Sequence, residues 1–244
     1  MGYRYNYKNR KEKVEEILDN TDKVNEVERL PTNDSFTYTN GYKASITAIF
    51  VDLRDSTTLF SDKDEIEISK VIRGFTSEVI EILRQNIEED GDLKEIGIRG
   101  DCVYAIYSTL TDDDAYEIYK RAYTINTYIK MLNELLDERE LPQIKAGIGI
   151  SAGEILAVKA GRKSSGINNL VWVGKAVAEA SKLADKGNKN KIGPIVVTDF
   201  FYKCIINKAK NKNTSNCWEK HDNFYSANII KKDFNDWINE GMRS

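Results

Sequence analysis

The sequence predicts an α+β fold of the ferredoxin-like kind, a mixed sheet with helices mainly on one face. An unbroken apolar run at residues 45–51 predicts a strand that is buried on both faces. A helix-periodic segment follows at residues 64–86, and two alternating stretches at residues 93–108 flank Gly100 and Asp101, as in a hairpin. With a second helix and a further strand, the order becomes β-α-β-β-α-β, followed by extra C-terminal strands and helices.

The second helix begins at Thr111, which caps a first turn of three aspartates, and runs to about Arg139. After Pro142, a glycine-rich strand at 144–151 is predicted to approach another element closely and to continue as a paired strand at 153–158. The later predicted elements are strands at 171–173, 195–197 and 224–230, a helix at 175–184, a short helix capped by Thr198, and loops at 160–169 and 206–216.

Three parts are predicted along the chain. Residues 1–43 form an N-terminal helical arm, with an amphipathic helix at 9–19 and an irregular polar stretch at 20–40. That helix either covers the domain or packs on a second subunit. Residues 44–230 form the main domain, and residues 231–244 form a C-terminal helix.

The amino-acid composition limits the classes of partner and of metal site that the protein can have. The 244 residues are 41% hydrophobic and 31% charged, which is typical of a soluble globular domain. A net charge of -3 argues against nucleic-acid or membrane binding through bulk charge. One histidine and three unpaired-looking cysteines exclude a His/Cys zinc site and a histidine-activated nucleophile, so any metal is expected to be an oxygen-liganded cation. No apolar run approaches the roughly 18 residues of a membrane span, and the N-terminus lacks an apolar signal core, so we expect a reduced, cytoplasmic protein.

Two carboxylates define the candidate site. Asp52 ends the buried strand and Asp101 lies at the hairpin tip. Because the first and third strands of a β-α-β-β unit are neighbours, these tips are expected to converge and to hold two Mg²⁺ or Mn²⁺ ions about 3.5–4 Å apart. The turn after Asp52 precedes a helix whose N-terminus suits phosphate oxygens. The candidate cationic partners of a triphosphate are Arg54, Arg99, Lys163 and Lys182.

A structural interpretation of the same residues stays open. Asp52 and Asp55 then only end a strand and cap a helix, and Arg99 and Lys182 are solvated charges. The aromatic residues just before the strand, such as Tyr38, are then edges of the core rather than contacts of a nucleotide base.

Four segments in order resemble the catalytic domains of class III nucleotidyl cyclases, over about residues 44–230. They are FVDLRDST (50–57), IRGDCVYAIY (98–107), IKAGIGISAGEILA (144–157) and VWVGKAVAEASKLA (171–184). The resemblance implies a homodimer with active sites at the subunit interface, which converts a nucleoside triphosphate to a 3′,5′-cyclic nucleotide and pyrophosphate with two divalent cations. It also implies that Asp52, Asp101 and the Leu53 carbonyl bind metal. The turn Leu53, Arg54, Asp55, Ser56 and Thr57 would hold phosphate.

The chain departs from the family at its purine-reading and catalytic positions. Gly97 stands where purine cyclases have a lysine, and Val171 where they have Asp or Thr. The transition-state Asn falls on Ala178 and the Arg on Lys182. Such losses fit a catalytically dead nucleotide-binding regulator, or an enzyme with a different base in a rearranged site. An adenylate or guanylate cyclase with unusual base contacts is a further alternative.

With a short N-terminal arm and altered purine determinants, the chain is similar to the bacterial pyrimidine cyclases of Pycsar-type antiphage defence. This similarity implies UTP or CTP as substrate, and cyclic UMP or cyclic CMP as a second messenger. We then expect Lys182 of one subunit to neutralise charge in the site of the other, and Arg99 or Tyr38 to contact the base. The sequence leaves UTP and CTP both open.

Overall fold

The computed structural model describes residues 5–21, 23–56, 61, 64–85, 92–161, 168–209 and 215–243. Its strands are β1 (Lys23–Glu26), β2 (Asn40–Leu53), β3 (Leu93–Arg99), β4 (Cys102–Ser108), β5 (Ala146–Gly161), β6 (Asn168–Val173), β7 (Ile195–Thr198), β8 (Trp218–Lys220) and β9 (Phe224–Ala227). Its helices are α1 (Tyr7–Asp19), α2 (Glu65–Arg84), α3 (Asp112–Asp137), α4 (Lys175–Lys186), α5 (Asp199–Ala209) and α6 (Lys232–Asn239). A short 3₁₀ turn spans Asn33–Ser35.

The described strands form one mixed sheet in the order β3-β4-β2-β5-β7-β9-β8, with β1 paired to β2 and β6 paired to β5. Its core runs β2-α2-β3-β4-α3-β5 along the chain, with the spatial order β3-β4-β2-β5. The predicted ferredoxin-like α+β fold is therefore confirmed, and β7, α5, β8, β9 and α6 are the extra C-terminal elements.

Residues 46–51 of β2 are almost entirely apolar because both faces of this part of the strand are buried. Ile49, Val51 and Leu53 enter the larger core, whereas Ala48 and Phe50 enter the smaller core on the opposite face. Side chains alternate between the faces of a strand, so a strand covered on both sides needs apolar residues at every position.

Helices α2 and α3 cover the face with the larger core. The Asp64 carboxylate accepts a hydrogen bond from the Ile66 N–H at 2.6 Å and caps α2. Thr111 and Asp114 form a capping box at the start of α3. The buried stripes of the two helices include Val71, Phe75, Val79 and Leu83 from α2, and Ile118, Ala122, Ile125, Ile129, Leu132 and Leu136 from α3.

Helix α4 covers the opposite face and lies directly on the backbone of β5. A Cβ atom at Gly147 would lie 2.2 Å from the Ala184 carbonyl oxygen, and one at Gly149 would lie 2.1 Å from the Ala180 carbonyl oxygen. Only glycine permits this approach, so the prediction that the glycine-rich strand meets another element closely is confirmed.

Three local predictions differ from the structure. The strands predicted at 144–151 and 153–158 are one 16-residue strand, β5, because its ladder with the 14-residue β2 continues through Ala152 without a turn. The stretch predicted as irregular at 20–40 contains β1, which pairs with β2. The loop predicted at 206–216 begins inside α5, and residues 210–214 lie outside the described residues.

The N-terminal helix forms where it was predicted but does not cover the domain. Within the described chain, α1 contains no buried residue, and its apolar side chains Val14, Ile17 and Leu18 are 48%, 58% and 71% exposed. Packing on a second subunit, the other expectation for this helix, stays a prediction.

Candidate active site

The structure brings Asp52 and Asp101 together at one end of the sheet. Asp52 is paired with Cys102 in the β2–β4 register, so Asp101, one residue earlier, is its immediate neighbour. The hairpin closes at the Arg99–Cys102 pair, and Gly100 adopts the left-handed conformation (φ 63°) that this two-residue turn requires. Both carboxylates are partly exposed. The predicted convergence of the two strand tips is therefore present in the fold.

The environment of Asp52 favours an added cation. Partial burial raises the pKa of the Asp52 carboxyl, the Arg54 guanidinium opposes that rise, and the charge of Asp101 adds to it. Like charges held close together repel, so the negative charge of Asp101 disfavours the charged form of Asp52. A divalent cation between the two carboxylates would remove this repulsion.

Arg54 does not present its side chain to a ligand. The side chain is 2% exposed, and its guanidinium donates to the Asp52 carboxylate, to the Asp52 carbonyl oxygen and to the Asp185 carbonyl oxygen. Its backbone N–H donates to the Lys145 carbonyl oxygen at 2.8 Å. The structure therefore corrects the prediction that Arg54 contacts a triphosphate, because its donors already have protein partners.

The predicted ligand set of the site is two carboxylates and one main-chain oxygen. Among the described residues, no group of three or more His, Cys, Asp or Glu side chains is arranged to hold a metal. Two carboxylates suit Mg²⁺ or Mn²⁺ when substrate phosphate and water supply the remaining ligands. Leu53 ends β2 beside Asp52, and its carbonyl oxygen stays a predicted ligand. The residues present thus fit the expected pair of divalent cations.

The turn after β2 is described only in its first part. Asp55 is exposed and has a positive φ of 53°, and Ser56 is half-buried. Thr57 and Lys163 lie outside the described residues, so their predicted contacts with phosphate stay predictions.

An aromatic cluster lies beside the carboxylates on the same face of the sheet. Tyr104 stacks on Phe50 at 5.2 Å between ring centroids, and its hydroxyl donates to the Glu95 carboxylate. The Trp172 indole N–H donates to the same carboxylate at 2.7 Å. A Cβ atom at Gly97 would lie 2.6 Å from the Tyr104 ring. The ring therefore fills the place of a side chain at 97, and any larger residue there would require the ring to move.

Sequence reasoning missed Glu95, Tyr104 and Trp172. Alternation along β3 places Glu95 on the same face as Gly97 and Arg99, which was the one available signal. The contact of Trp172 with Glu95 joins residues 77 apart in sequence, and local patterns do not reveal it.

Arg99 and Tyr38, the two predicted base contacts, lie at opposite ends of the sheet. Arg99 is exposed beside Asp101, and its guanidinium carbon lies 5.9 Å from the centroid of the Tyr104 ring. Tyr38 precedes the first residue of the 14-residue strand β2, whereas Asp52 is next to its last residue. At a rise of about 3.3 Å per residue, roughly 40 Å separates them. A base whose phosphates lie at Asp52 is out of reach of Tyr38 in the same chain, and the contact of Tyr38 with a base stays a prediction.

Lys182 lies on the outer face of α4. The helix packs on the sheet through Ala176, Ala180 and Ala184, whereas Ala178 and Lys182 are exposed on the opposite side. In the described part of the chain, Lys182 has no ion pair or side-chain hydrogen bond. Its position is therefore suited to contact with a second molecule.

The family model for the "Adenylate and Guanylate cyclase catalytic domain" matches residues 39–218. The chain belongs to the adenylate and guanylate cyclase family. It is 43% identical over 240 residues to a "Uridylate cyclase" of Treponema porcinum, covering 98% of this chain and 82% of that protein. It is 28% identical to a "Uridylate cyclase" of Gulbenkiania mobilis, covering 97% of this chain and 96% of that protein.

The fold of this cyclase is also found in solved structures. A bacterial light-regulated adenylyl cyclase superposes with a TM-score of 0.60 at 18% identity, covering 81% of this chain and 98% of that one. The chain is thus a nucleotidyl cyclase with the class III fold, as its sequence motifs predicted. Across the ranges that the structure describes, no helix is both long and apolar enough to cross a bilayer.

Proposed function

We propose that this cyclase converts UTP to 3′,5′-cyclic UMP and pyrophosphate, with Asp52 and Asp101 holding two divalent cations, Mn²⁺ or Mg²⁺. The observation that carries the proposal is the pairing of Asp52 with Cys102, because it puts the two acidic strand tips side by side. The choice of UTP over CTP is supported by the similarity to the uridylate cyclases of Treponema porcinum and Gulbenkiania mobilis.

In the proposed reaction, the 3′-oxygen of the ribose bonds to the α-phosphorus, the α–β bridging bond breaks, and pyrophosphate leaves. The 3′-hydroxyl proton passes to solvent. When bound, the cations lower the pKa of that hydroxyl and neutralise charge on the phosphates. Asp52 and Asp101 hold the site at the open end of the sheet, and Asp55 and Ser56 begin the turn proposed to receive phosphate oxygens.

The aromatic cluster supports a pyrimidine substrate. Arg99 is two residues before Asp101 in the hairpin, and the Gly97–Tyr104 pair is two residues further along β3. Tyr104 is two residues after Cys102, the register partner of Asp52, so at about 3.3 Å per residue the pair lies roughly 7 Å along the strands from Asp52. The Tyr104 ring, which is hydrogen-bonded to Glu95 and stacked on Phe50, reduces the space available to a nucleotide base beside Gly97. We propose that Arg99 and the edge of Tyr104 contact the smaller base.

The acting unit is proposed to be a homodimer with two sites at its interface. Lys182 faces away from the sheet that carries Asp52 of its own chain. A second copy can present that lysine to the Asp52–Asp101 site, where its charge would offset the charge that develops on the phosphates. Lysine is a compact point charge and lacks the fork of arginine, so it neutralises charge without bidentate orientation.

We further propose that the protein acts in the cytoplasm and that cyclic UMP is an antiviral signal. This follows from the similarity to Pycsar-type pyrimidine cyclases. Bacteria that carry the gene and its effector would survive phage challenge as a population, and bacteria with Asp52→Ala in its place would not. Equal phage sensitivity of the two strains would remove the antiviral part and leave the enzymatic part standing.

The test is incubation of the purified protein with ATP, GTP, CTP or UTP and Mn²⁺, followed by identification of the products. We expect cyclic UMP from UTP and little from the other three. Cyclic CMP or a cyclic purine nucleotide as main product would move the assignment to that base. A dead regulator, which the alanine at 178 and the lysine at 182 favour, would bind a nucleotide and form no cyclic product.

A further inference from the structure

The guanidinium of Arg54 lies between Asp52 and the C-terminal turn of α4. Arg54 is the one charged residue among those described that is buried, at 4% exposure. A buried charge is stable only when it is paired and hydrogen-bonded. Its partners are a predicted metal ligand, Asp52, and the last turn of the helix that carries Lys182.

On the strand side, Arg54 donates hydrogen bonds to both the carboxylate and the carbonyl oxygen of Asp52. Nη2 donates to the carboxylate and also, at 3.2 Å, to the Asp52 carbonyl oxygen, and Nε reaches the same carbonyl oxygen at 3.3 Å. The contacts with the carbonyl oxygen hold the planar guanidinium against the Asp52 backbone, and its contact with the carboxylate then restricts the torsion angles of the Asp52 side chain. Asp52 is therefore oriented before a cation arrives.

On the helix side, Arg54 caps α4. Nη1 donates to the Asp185 carbonyl oxygen at 2.7 Å and lies 3.6 Å from the Asp185 carboxylate. The last carbonyl groups of a helix lack partners within it and carry partial negative charge, so a cation there is favourable. Because Gly147 and Gly149 have no side chains, the same helix packs closely on β5, which keeps its C-terminal turn within hydrogen-bonding distance of Arg54.

We propose that Arg54 is a positioning residue, which fixes the Asp52 carboxylate for divalent-cation binding and ties it to the C-terminal turn of α4. The inference rests on the proposed metal site. Partners that orient a metal ligand change metal affinity when they are removed, typically by about 10–100-fold. Arg54→Met is thus expected to weaken Mn²⁺ binding by roughly that factor.

The experiment is a titration of the metal-free protein with Mn²⁺ alone, with free Mn²⁺ measured by electron paramagnetic resonance. Arg54→Met should bind about 10–100-fold more weakly than the unchanged protein. Arg54→Lys, which keeps the charge and loses the fork, should fall between the two and covers the case in which Arg54→Met does not fold. Lys189→Met is the matched control, because Lys189 contacts the Asp185 carboxylate from the exposed side at 2.6 Å and does not contact Asp52. It should bind Mn²⁺ normally.

A second readout separates positioning from simple stabilisation. With UTP and rising Mn²⁺, the Arg54 variants should need more metal and then recover most of kcat, since Asp52 itself is intact. Unchanged or tighter Mn²⁺ binding by folded Arg54→Met and Arg54→Lys would overturn the inference and leave the metal site in place. If the unchanged protein binds Mn²⁺ no better than the double variant that carries Asp52→Ala and Asp101→Ala, the proposed metal site is wrong and the role of Arg54 is wrong with it.

Discussion

Gly97→Ala tests whether the Tyr104 ring fills the position that reads a purine in related cyclases. The added Cβ atom would lie 2.6 Å from the ring, whereas ordinary contacts begin at 3.4 Å, so the ring must retreat by 0.8 Å (3.4 minus 2.6) or more. That movement disturbs the hydrogen bond to Glu95 and the stack on Phe50. Overpacking of this kind costs about 1–3 kcal/mol, and we expect this loss in the free energy of unfolding.

Urea unfolding, followed by circular dichroism, measures this loss in four variants. Gly153→Ala is the matched control, because its Cβ atom would meet the Ala176 methyl group at an ordinary 3.8 Å, and its cost should stay below about 0.5 kcal/mol. In a Tyr104→Ala background, Gly97→Ala should also cost less than about 0.5 kcal/mol, because the clash is gone. Equal costs of Gly97→Ala with and without Tyr104 would refute the account of this position.

Three further predictions follow from the site. Lys182→Ala and Asp52→Ala are each expected to be inactive. An equimolar mixture of the two variants that exchanges subunits should regain about a quarter of full activity, because half of the dimers then have one intact site. No recovery of activity would argue that both residues act within one chain. Because the pKa of Asp52 is raised, its charged form is lost at a higher pH than that of an ordinary aspartate. Mn²⁺ binding should therefore weaken at a higher pH on acidification than it would with an aspartate of ordinary pKa. Titration calorimetry at several pH values measures this weakening. Burial, and to a smaller extent the negative charge of Asp52, raise the pKa of the Cys102 thiol to about 12. Iodoacetamide at neutral pH should therefore modify the exposed Cys217 well before Cys102. Mass spectrometry of tryptic peptides measures the two rates.

The parts of the fold that local pattern controls were predictable. The boundaries of β3 and β4 follow from alternation and from the Gly100-Asp101 turn, and those of α2 follow from its apolar stripe and its Asp64 cap. The neighbouring positions of Asp52 and Asp101 follow from the connectivity of a β-α-β-β unit, which leaves little choice about adjacent strands.

Other features depend on contacts between distant segments. Arg54 looks like a surface cation in sequence, and it is buried because the end of α4, more than 130 residues later, supplies a carbonyl group for it. Tyr38 precedes Asp52 by few residues, yet an extended strand carries it far away. The Glu95–Trp172 contact requires β6 to lie near β3 across the sheet face, which local periodicity does not encode.

In the proposed mechanism, two neighbouring carboxylates hold the cations that cyclise UTP. The most direct measurement is cyclic UMP formation with Mn²⁺ by the unchanged protein, Asp52→Ala and Asp101→Ala, with each shown to be folded by its thermal unfolding curve. We expect abundant product from the unchanged protein and none from either folded variant. Full turnover by either variant would contradict the proposed mechanism.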